Sequence, residues 1–309
     1  MKTFLERYNR AKTIESLSSR QNIQVDWQGE LYMNHRLLHI YRNTPLGRET
    51  LLQSIHFCKT LNLSLGIYIP ESKRFLMCCG SENRKFPIDL DESYFFSPES
   101  ALPHAKELTE NKGAKPIWIN PENDIVKSYP KIQDSFEFMC CPRCIKEPLS
   151  KLSVGYIDAL VRKIINTAQF PVLIPSPVYR PWKRIAVFYG GSSSALNALK
   201  LGLQICRVSG LPMDIFTQLE SVRNKDIRNS ISDKVLKNEI DSDINKWYQF
   251  DSGDFISNIF NVSNDALVLL GGFHSQKHRN FSSKMEKIQS VLPNNLLALG
   301  PHYSELVLA

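Results

Sequence analysis

The stretch RIAVFYGGSSSALNALKLGLQICRVSG, residues 184 to 210, contains the local signals that decide the fold. Its apolar opening predicts a buried strand, and the two glycines and three serines that follow predict a turn. From Leu196 onward, apolar residues recur on one helical face until Gly210 ends the helix. A strand, a tight turn and an amphipathic helix in this order are typical of an α/β fold with a parallel sheet.

The chain continues this alternation to its end. Apolar runs predict four further strands, at 212–219, 244–250, 266–272 and 295–300. Helical patterns separate these strands, near 223–240, within 252–265 and over 282–292. Alternating strands and helices indicate one parallel sheet whose crossover connections are right-handed.

The first half of the chain repeats this order. Strands are predicted at 36–41, 63–70, 115–120, 135–140 and 170–175, and helices at 45–62, 97–114, 122–133 and 154–169. We interpret the repetition as an internal duplication. The two first strands are 148 residues apart and the two fourth strands 130 apart, so the first copy carries 18 additional residues. We assign them to a loop or lid within residues 71–96.

These patterns divide the chain into an N-terminal extension (1–35), domain 1 (36–177) and domain 2 (178–309). The proline-containing stretch 176–184 is predicted as the linker. The predicted fold class is therefore α/β, with two tandem five-stranded parallel-sheet domains. The last strand of each copy is an edge strand, and pairing the two edges would satisfy their free backbone groups. The chain would then be an intramolecular pseudo-dimer.

Composition limits the class of protein. Hydrophobic residues make up 42% and charged residues 22%, as in globular proteins. No apolar run approaches the roughly 20 residues that span a bilayer, and no hydrophobic segment follows the first lysine, so we expect a cytoplasmic protein without a membrane anchor. The net charge of +7 is scattered, without a dense basic block, which disfavours a nucleic-acid-binding role.

Domain 2 resembles the universal stress protein family, whose domain is a five-stranded parallel unit of the adenine nucleotide alpha hydrolase-like type. The family's first loop reads Val-Asp-Gly-Ser, and Tyr189, Gly190, Gly191 and Ser192 stand in those places. Its phosphate loop reads Gly-x2-Gly-x9-Gly-Ser/Thr after the fourth strand. The corresponding positions here begin with Gly271 and Gly272 and continue with His274, Ser282 and Ser283.

The resemblance implies a stress-response regulatory or adaptor protein that binds ATP or AMP in domain 2, with little or no catalysis. It also implies protein partners and further assembly into a homodimer. The motifs are degenerate, because Gly190 replaces the family's acidic residue in domain 2 and Arg42 replaces it in domain 1. Domain 1 is therefore not expected to bind nucleotide in the family manner. No P-loop and no nucleophile elbow is present in the sequence, so a motor ATPase or serine hydrolase is disfavoured.

Domain 1 instead contains most of the cysteines. Cys141 and Cys144 form a Cys-x-x-Cys between a predicted strand and a predicted helix, and Cys78 and Cys79 lie in the insertion. Four thiolates could form a tetrahedral zinc site, and a dithiol could act in redox sensing without nucleotide binding. A third reading is that these cysteines are small buried core residues. The sequence leaves these alternatives open.

Overall fold

The computed structural model describes most of the two repeated units. The described residues are 23–25, 31–33, 36–79, 84–120, 122–123, 130–132, 136–145, 157–218, 231–250, 255–271, 288, 291–306 and 308. Within them, no helix is both long enough and apolar enough to cross a membrane.

Sixteen strands and six α-helices lie in this part of the chain. The strands are β1 (Ile23–Val25), β2 (Leu31–Met33), β3 (Arg36–Ile40), β4 (Ser64–Tyr68), β5 (Arg74–Cys79), β6 (Arg84–Asp89), β7 (Ile117–Trp118), β8 (Glu122–Asn123), β9 (Pro130–Ile132), β10 (Phe138–Cys140), β11 (Val172–Ile174), β12 (Arg184–Phe188), β13 (Met213–Gln218), β14 (Ile244–Phe250), β15 (Ala266–Gly271) and β16 (Asn295–Leu299). The helices are α1 (Pro45–Thr60), α2 (Pro98–Asn111), α3 (Ala159–Thr167), α4 (Ser193–Ser209), α5 (Lys234–Asp243) and α6 (Phe255–Ile259), with a 3-10 helix at Glu92–Phe95.

Ten of these strands form one continuous sheet in the order β14-β13-β12-β15-β16-β11-β10-β3-β4-β7. We call β3, β4, β7, β10 and β11 with their connections half 1, and β12 to β16 with theirs half 2. Neighbouring strands within each half are parallel, and each half has the spatial order third, second, first, fourth, fifth. The prediction of two tandem five-stranded parallel units is confirmed.

The halves meet through their last strands. β11 pairs with β16 in antiparallel register, with Leu173 opposite Leu297. This confirms the predicted pairing of the two edge strands and the pseudo-dimer. A buried amide strengthens the joint: Asn295 in β16 donates from Nδ2 to Gln53 Oε1 of α1 (3.1 Å) and accepts from the Ser176 backbone N–H (2.9 Å).

Alternating side chains of the strands build a core on each face of the sheet. Leu37 and Tyr41 belong to one core together with residues of α1, α2, α4 and α5, whereas Leu38 and Ile40 belong to the other together with residues of α3 and α6. Because the central strands β10, β11, β15 and β16 are buried on two faces, they appear in the sequence as near-continuous apolar runs.

The insertion of half 1 is a small sheet rather than a loop. β5 and β6 form an antiparallel hairpin, and the four-stranded order is β6-β5-β9-β8, which we call the insertion sheet. Phe75, Met77 and Ile88 of this sheet pack in the same core as Leu38.

The helix predicted over 122–133 is wrong. Its described residues form β8 and β9, and β9 pairs with β5. The physical reason is a tertiary one, because a strand edge some fifty residues earlier in the chain supplies hydrogen bonds that outweigh local helical periodicity. In the N-terminal extension, β1 and β2 pair as an antiparallel hairpin. Most of the helix predicted over 282–292 lies outside the described residues.

Candidate functional site

The carboxyl ends of β12 and β15 in half 2 form the candidate site, which we call the half 2 notch. Strand β12 is followed by Gly190 and by Gly191, whose φ of +77° is a left-handed conformation that favours glycine. Ser192 then caps α4, because its side chain accepts a hydrogen bond from the Ala195 N–H (3.1 Å). The N–H groups of the next two residues have no acceptor within the helix and carry its partial positive charge.

Gly271, the last residue of β15, lies against the first turn of α4. A Cβ at this position would be 2.2 Å from the carbonyl oxygen of Ser194 and 2.4 Å from the backbone nitrogen of Ala195, so only glycine fits. At Gly190, by contrast, a Cβ would meet nothing within 4 Å. The structure therefore brings Gly190, Gly191, Ser192 and Gly271 together around a backbone-lined notch that is open at the first glycine.

The other predicted phosphate-loop residues, Gly272, His274, Ser282 and Ser283, lie outside the described residues. Their ligand role stays a prediction.

Aromatic and hydroxyl groups lie beside the notch. Thr217 Oγ1 donates to the Tyr189 carbonyl (2.9 Å) and accepts from Trp247 Nε1 (3.0 Å), while the Tyr189 and Trp247 rings meet edge to face at 6.1 Å. Two described carboxylates of half 2, Asp265 and Asp214, lie away from the notch. Asp265 precedes β15 and is at the opposite end of the strands, and Asp214 is buried and paired with Arg184 (3.2 Å). Among the described residues, the half 2 notch thus offers backbone donors and neither of these two carboxylates as a general base.

The equivalent position in half 1 is filled. Arg42 follows β3 where Gly190 follows β12, and its side chain is buried and paired with Asp91 of the insertion (2.7 Å). Cys141 stands where half 2 has Gly271. Thr44 caps α1 by accepting from the Gly47 N–H (3.1 Å), as Ser192 caps α4. Sequence reasoning found Arg42 but missed Asp91, which lies 49 residues further along the chain.

The cysteine cluster does not assemble into a metal site within the part of the chain described, where no group of three or more His, Cys, Asp or Glu residues could hold a metal ion. Cys141 and Cys144 are buried, and the next described helix begins only at Ala159. Burial, and then the Asp158 carboxylate, hold the pKa of Cys141 well above its ordinary value. Since thiol exchange requires the thiolate, this environment disfavours a redox role for Cys141. The Cys78 and Cys79 side chains lie outside the described residues, so their role stays a prediction.

Comparisons with known proteins bear on the fold. No family model matches the sequence, and a search of curated proteins finds no significant similarity. Among solved structures, a universal stress protein from Archaeoglobus fulgidus DSM 4304 covers 87% of this chain and 99% of its own, at 13% identity and a TM-score of 0.59.

Two further structures are similar. A functionally unknown protein from Pseudomonas aeruginosa PAO1 covers 87% of this chain and 93% of its own, at 10% identity and a TM-score of 0.51. A universal stress protein in complex with cAMP covers 38% of this chain and 98% of its own, at 16% identity and a TM-score of 0.27. From the strand order and the first two similarities, the chain has the fold of a tandem universal stress protein.

Proposed function

We propose that the chain is a stress-response regulatory or adaptor protein that binds ATP or AMP in the half 2 notch and catalyses little or nothing. The observation that carries this proposal is the contact of Gly271 with the first turn of α4, beside an open position at Gly190. A side chain at position 271 would clash with that turn, whereas glycine lets the backbone of β15 approach the start of the helix.

A phosphate group suits this surface for two reasons. Backbone N–H groups at the start of the 17-residue helix α4 can donate to its oxygens, and the helix dipole favours negative charge there. The base and ribose of a nucleotide make fewer hydrogen bonds than its phosphates, because Gly190 supplies no carboxylate to accept them. We therefore expect nucleotide binding through the phosphates, with weak discrimination between adenine and guanine. Hydrolysis would need a placed carboxylate or base, and Asp265 lies at the wrong end of the strands.

A thermal-shift series with ATP, AMP, GTP and no ligand tests the proposal. Ligand at a hundred times its Kd stabilises the folded state by about 2.7 kcal/mol, which raises Tm measurably. The sharper test restores the acidic residue with Gly190→Asp, using Gly190→Ala as the size control, since a Cβ fits there without contact.

We expect Gly190→Asp to bind ATP about tenfold more tightly than Gly190→Ala, because a hydrogen bond to a charged group contributes about 1.5 kcal/mol. It should also improve discrimination against GTP. If neither the wild type nor Gly190→Asp is stabilised by any nucleotide, the proposal is wrong.

The adaptor role requires partners, and we propose that these include a second copy of the chain. β11 and β16 pair with each other between the halves, so the outer strands of the ten-stranded sheet are β7 and the seven-residue β14. Sedimentation equilibrium over a range of protein concentrations, with and without ATP, measures whether a homodimer forms; a monomer at every concentration would contradict this part. We propose that the protein acts in the cytoplasm.

A further inference from the structure

The Arg42 cluster consists of Arg42, Asp91, Ser93 and Tyr94 and lies at the end of β3. The Arg42 guanidinium donates from Nη2 to both Asp91 oxygens (3.0 and 2.7 Å) and from Nε to Ser93 Oγ (2.5 Å). The Tyr94 ring lies 4.9 Å from its central carbon. Arg42 is only 5% exposed, so the charge is held almost entirely by these three residues of the insertion.

The same insertion residues reach the loop after β10. The Asp91 backbone N–H donates to the Ile145 carbonyl (3.3 Å), and the Asp91 side chain also accepts from the Ser93 N–H (2.7 Å) at the start of the 3-10 helix. Residues 91–94 therefore bridge the loops that follow the first and fourth strands of half 1. These are the two strand ends that form the open notch in half 2.

One nitrogen of the guanidinium remains unused. Arg42 Nη1 is buried and has no hydrogen-bond partner among the described residues. A buried charged group with an unmet donor is unfavourable, and an anion that presented more oxygens than Asp91 would satisfy it. Arg is also the side chain whose planar fork best fits carboxylate and phosphate groups.

We propose that half 1 contains a second anion site, specific for a carboxylate or phosphate group bound by Arg42, which the chain closes from within by using Asp91 as a built-in ligand. The site does not depend on nucleotide binding in half 2. In the wild type the covalently attached carboxylate outcompetes free anions.

Chemical rescue tests the proposal. Asp91→Ala leaves Arg42 buried without its counter-ion and should lower Tm by about 5 °C. Acetate, which is a free copy of the missing side chain, should restore part of this loss, and inorganic phosphate should do the same, each compared with chloride at equal ionic strength. Wild type should gain less from either anion, because Asp91 already occupies the site.

Two controls isolate the site. Asp89→Ala removes a more exposed carboxylate that pairs with Arg74 in the same hairpin, and it should show no anion-specific rescue. The double variant Arg42→Met with Asp91→Ala removes the guanidinium and should lose the rescue. Equilibrium dialysis with labelled phosphate should count one more phosphate bound per chain in Asp91→Ala than in wild type or in the double variant.

If Asp91→Ala does not fold, Asp91→Asn replaces it in both experiments, because it keeps the side-chain shape and removes the charge. If acetate and phosphate stabilise neither Asp91 variant more than the wild type, and no additional phosphate is bound, the proposal is overturned. Loss of nucleotide binding in half 2 would leave these results unchanged, so the two proposals fail separately.

Discussion

Half 1 and half 2 share a strand order but differ at the same crevice. In half 2, Gly271 lets β15 approach α4 and Gly190 leaves open space, whereas in half 1 Arg42 is buried under Asp91 of the insertion. The insertion sheet of half 1 and α6 of half 2 both contribute to the core on the same face of the sheet. The comparison teaches that the fold does not depend on what occupies the crevice, because side chains of the chain itself can take the place of a ligand.

Half 1 and half 2 also differ in how the first strand packs against the first helix. His39 Nδ1 and Ser54 Oγ are hydrogen-bonded at 2.9 Å between β3 and α1. The corresponding positions of half 2, 148 residues later, are Val187 and Gly202, and a Cβ on Gly202 would be 2.7 Å from the Val187 side chain. Half 1 thus joins strand to helix by a buried polar pair, and half 2 does so by close apolar contact.

The largest expected effect comes from giving half 2 the residue of half 1. Gly271→Cys places a side chain against the backbone of Ser194 and Ala195, which cannot move without displacing α4. We expect a loss of about 3 kcal/mol in the free energy of unfolding, measured by urea denaturation, with loss of any nucleotide-induced stabilisation. The matched variant Cys141→Ala in half 1 should lose about 1 kcal/mol. A loss below that of the control would show that the close approach is not required.

The His39–Ser54 pair makes the stability of half 1 depend on pH, whereas the corresponding Val187 and Gly202 of half 2 do not titrate. Burial lowers the pKa of His39 from 6.5 to about 3, so below pH 6.5 the unfolded chain binds a proton that the folded chain does not. The stability contributed by neutral His39 is therefore lost as pH falls, by about 1.4 kcal/mol per pH unit, or about 2 kcal/mol at pH 5.

His39→Val with Ser54→Gly copies the pair of half 2 and tests this directly. The difference in unfolding free energy between the wild type and the double variant should change by about 2 kcal/mol between pH 7 and pH 5, since all other titrating groups are shared. Urea denaturation at the two pH values measures it. If the difference in unfolding free energy is the same at pH 7 and pH 5, His39 already titrates normally in the folded protein.

The joint between the halves should show an intermediate effect. Asn295→Ala leaves the Ser176 N–H and the Gln53 side chain without their partner, and we expect a loss of about 1.5 kcal/mol in the free energy of unfolding. Asn261→Ala, at an exposed amide, is the control and should change stability by less than about 0.5 kcal/mol. If Asn295→Ala matches its control, the amide does not stabilise the joint.

The smallest effect is expected at the surface of half 2. Lys200 Nζ lies 3.0 Å from Glu305, but the pair is partly exposed, with 32% and 55% of the two side chains accessible. Solvent screening limits its contribution, so Lys200→Ala should change the free energy of unfolding by less than about 0.5 kcal/mol in a urea titration. A loss above 1 kcal/mol would indicate that the C-terminal residues are held more firmly than this contact allows.

The sequence predicts what depends on local pattern and misses what depends on distant partners. β12, β15 and β16 were predictable because strands buried on both faces are continuous apolar runs. β9 was not, because its hydrogen bonds come from β5. At the candidate site, Gly271 could be predicted as a glycine position, but its contact with Ser194 depends on how the helix packs on the sheet.

The same limit explains the Arg42 cluster. An arginine in the place of an acidic residue indicates only that the usual ligand partner is absent. That Asp91 fills the place follows from the insertion folding back over β3, which no local spacing encodes.

The antiparallel pairing of β11 with β16 places the candidate regions of the two halves at different ends of the strands. All strands of half 1 run opposite to those of half 2, so the half 2 notch and the Arg42 cluster lie at opposite ends of the strands. Five-residue strands separate these ends by roughly 17 Å. The two regions are therefore held apart by the length of the strands rather than placed side by side.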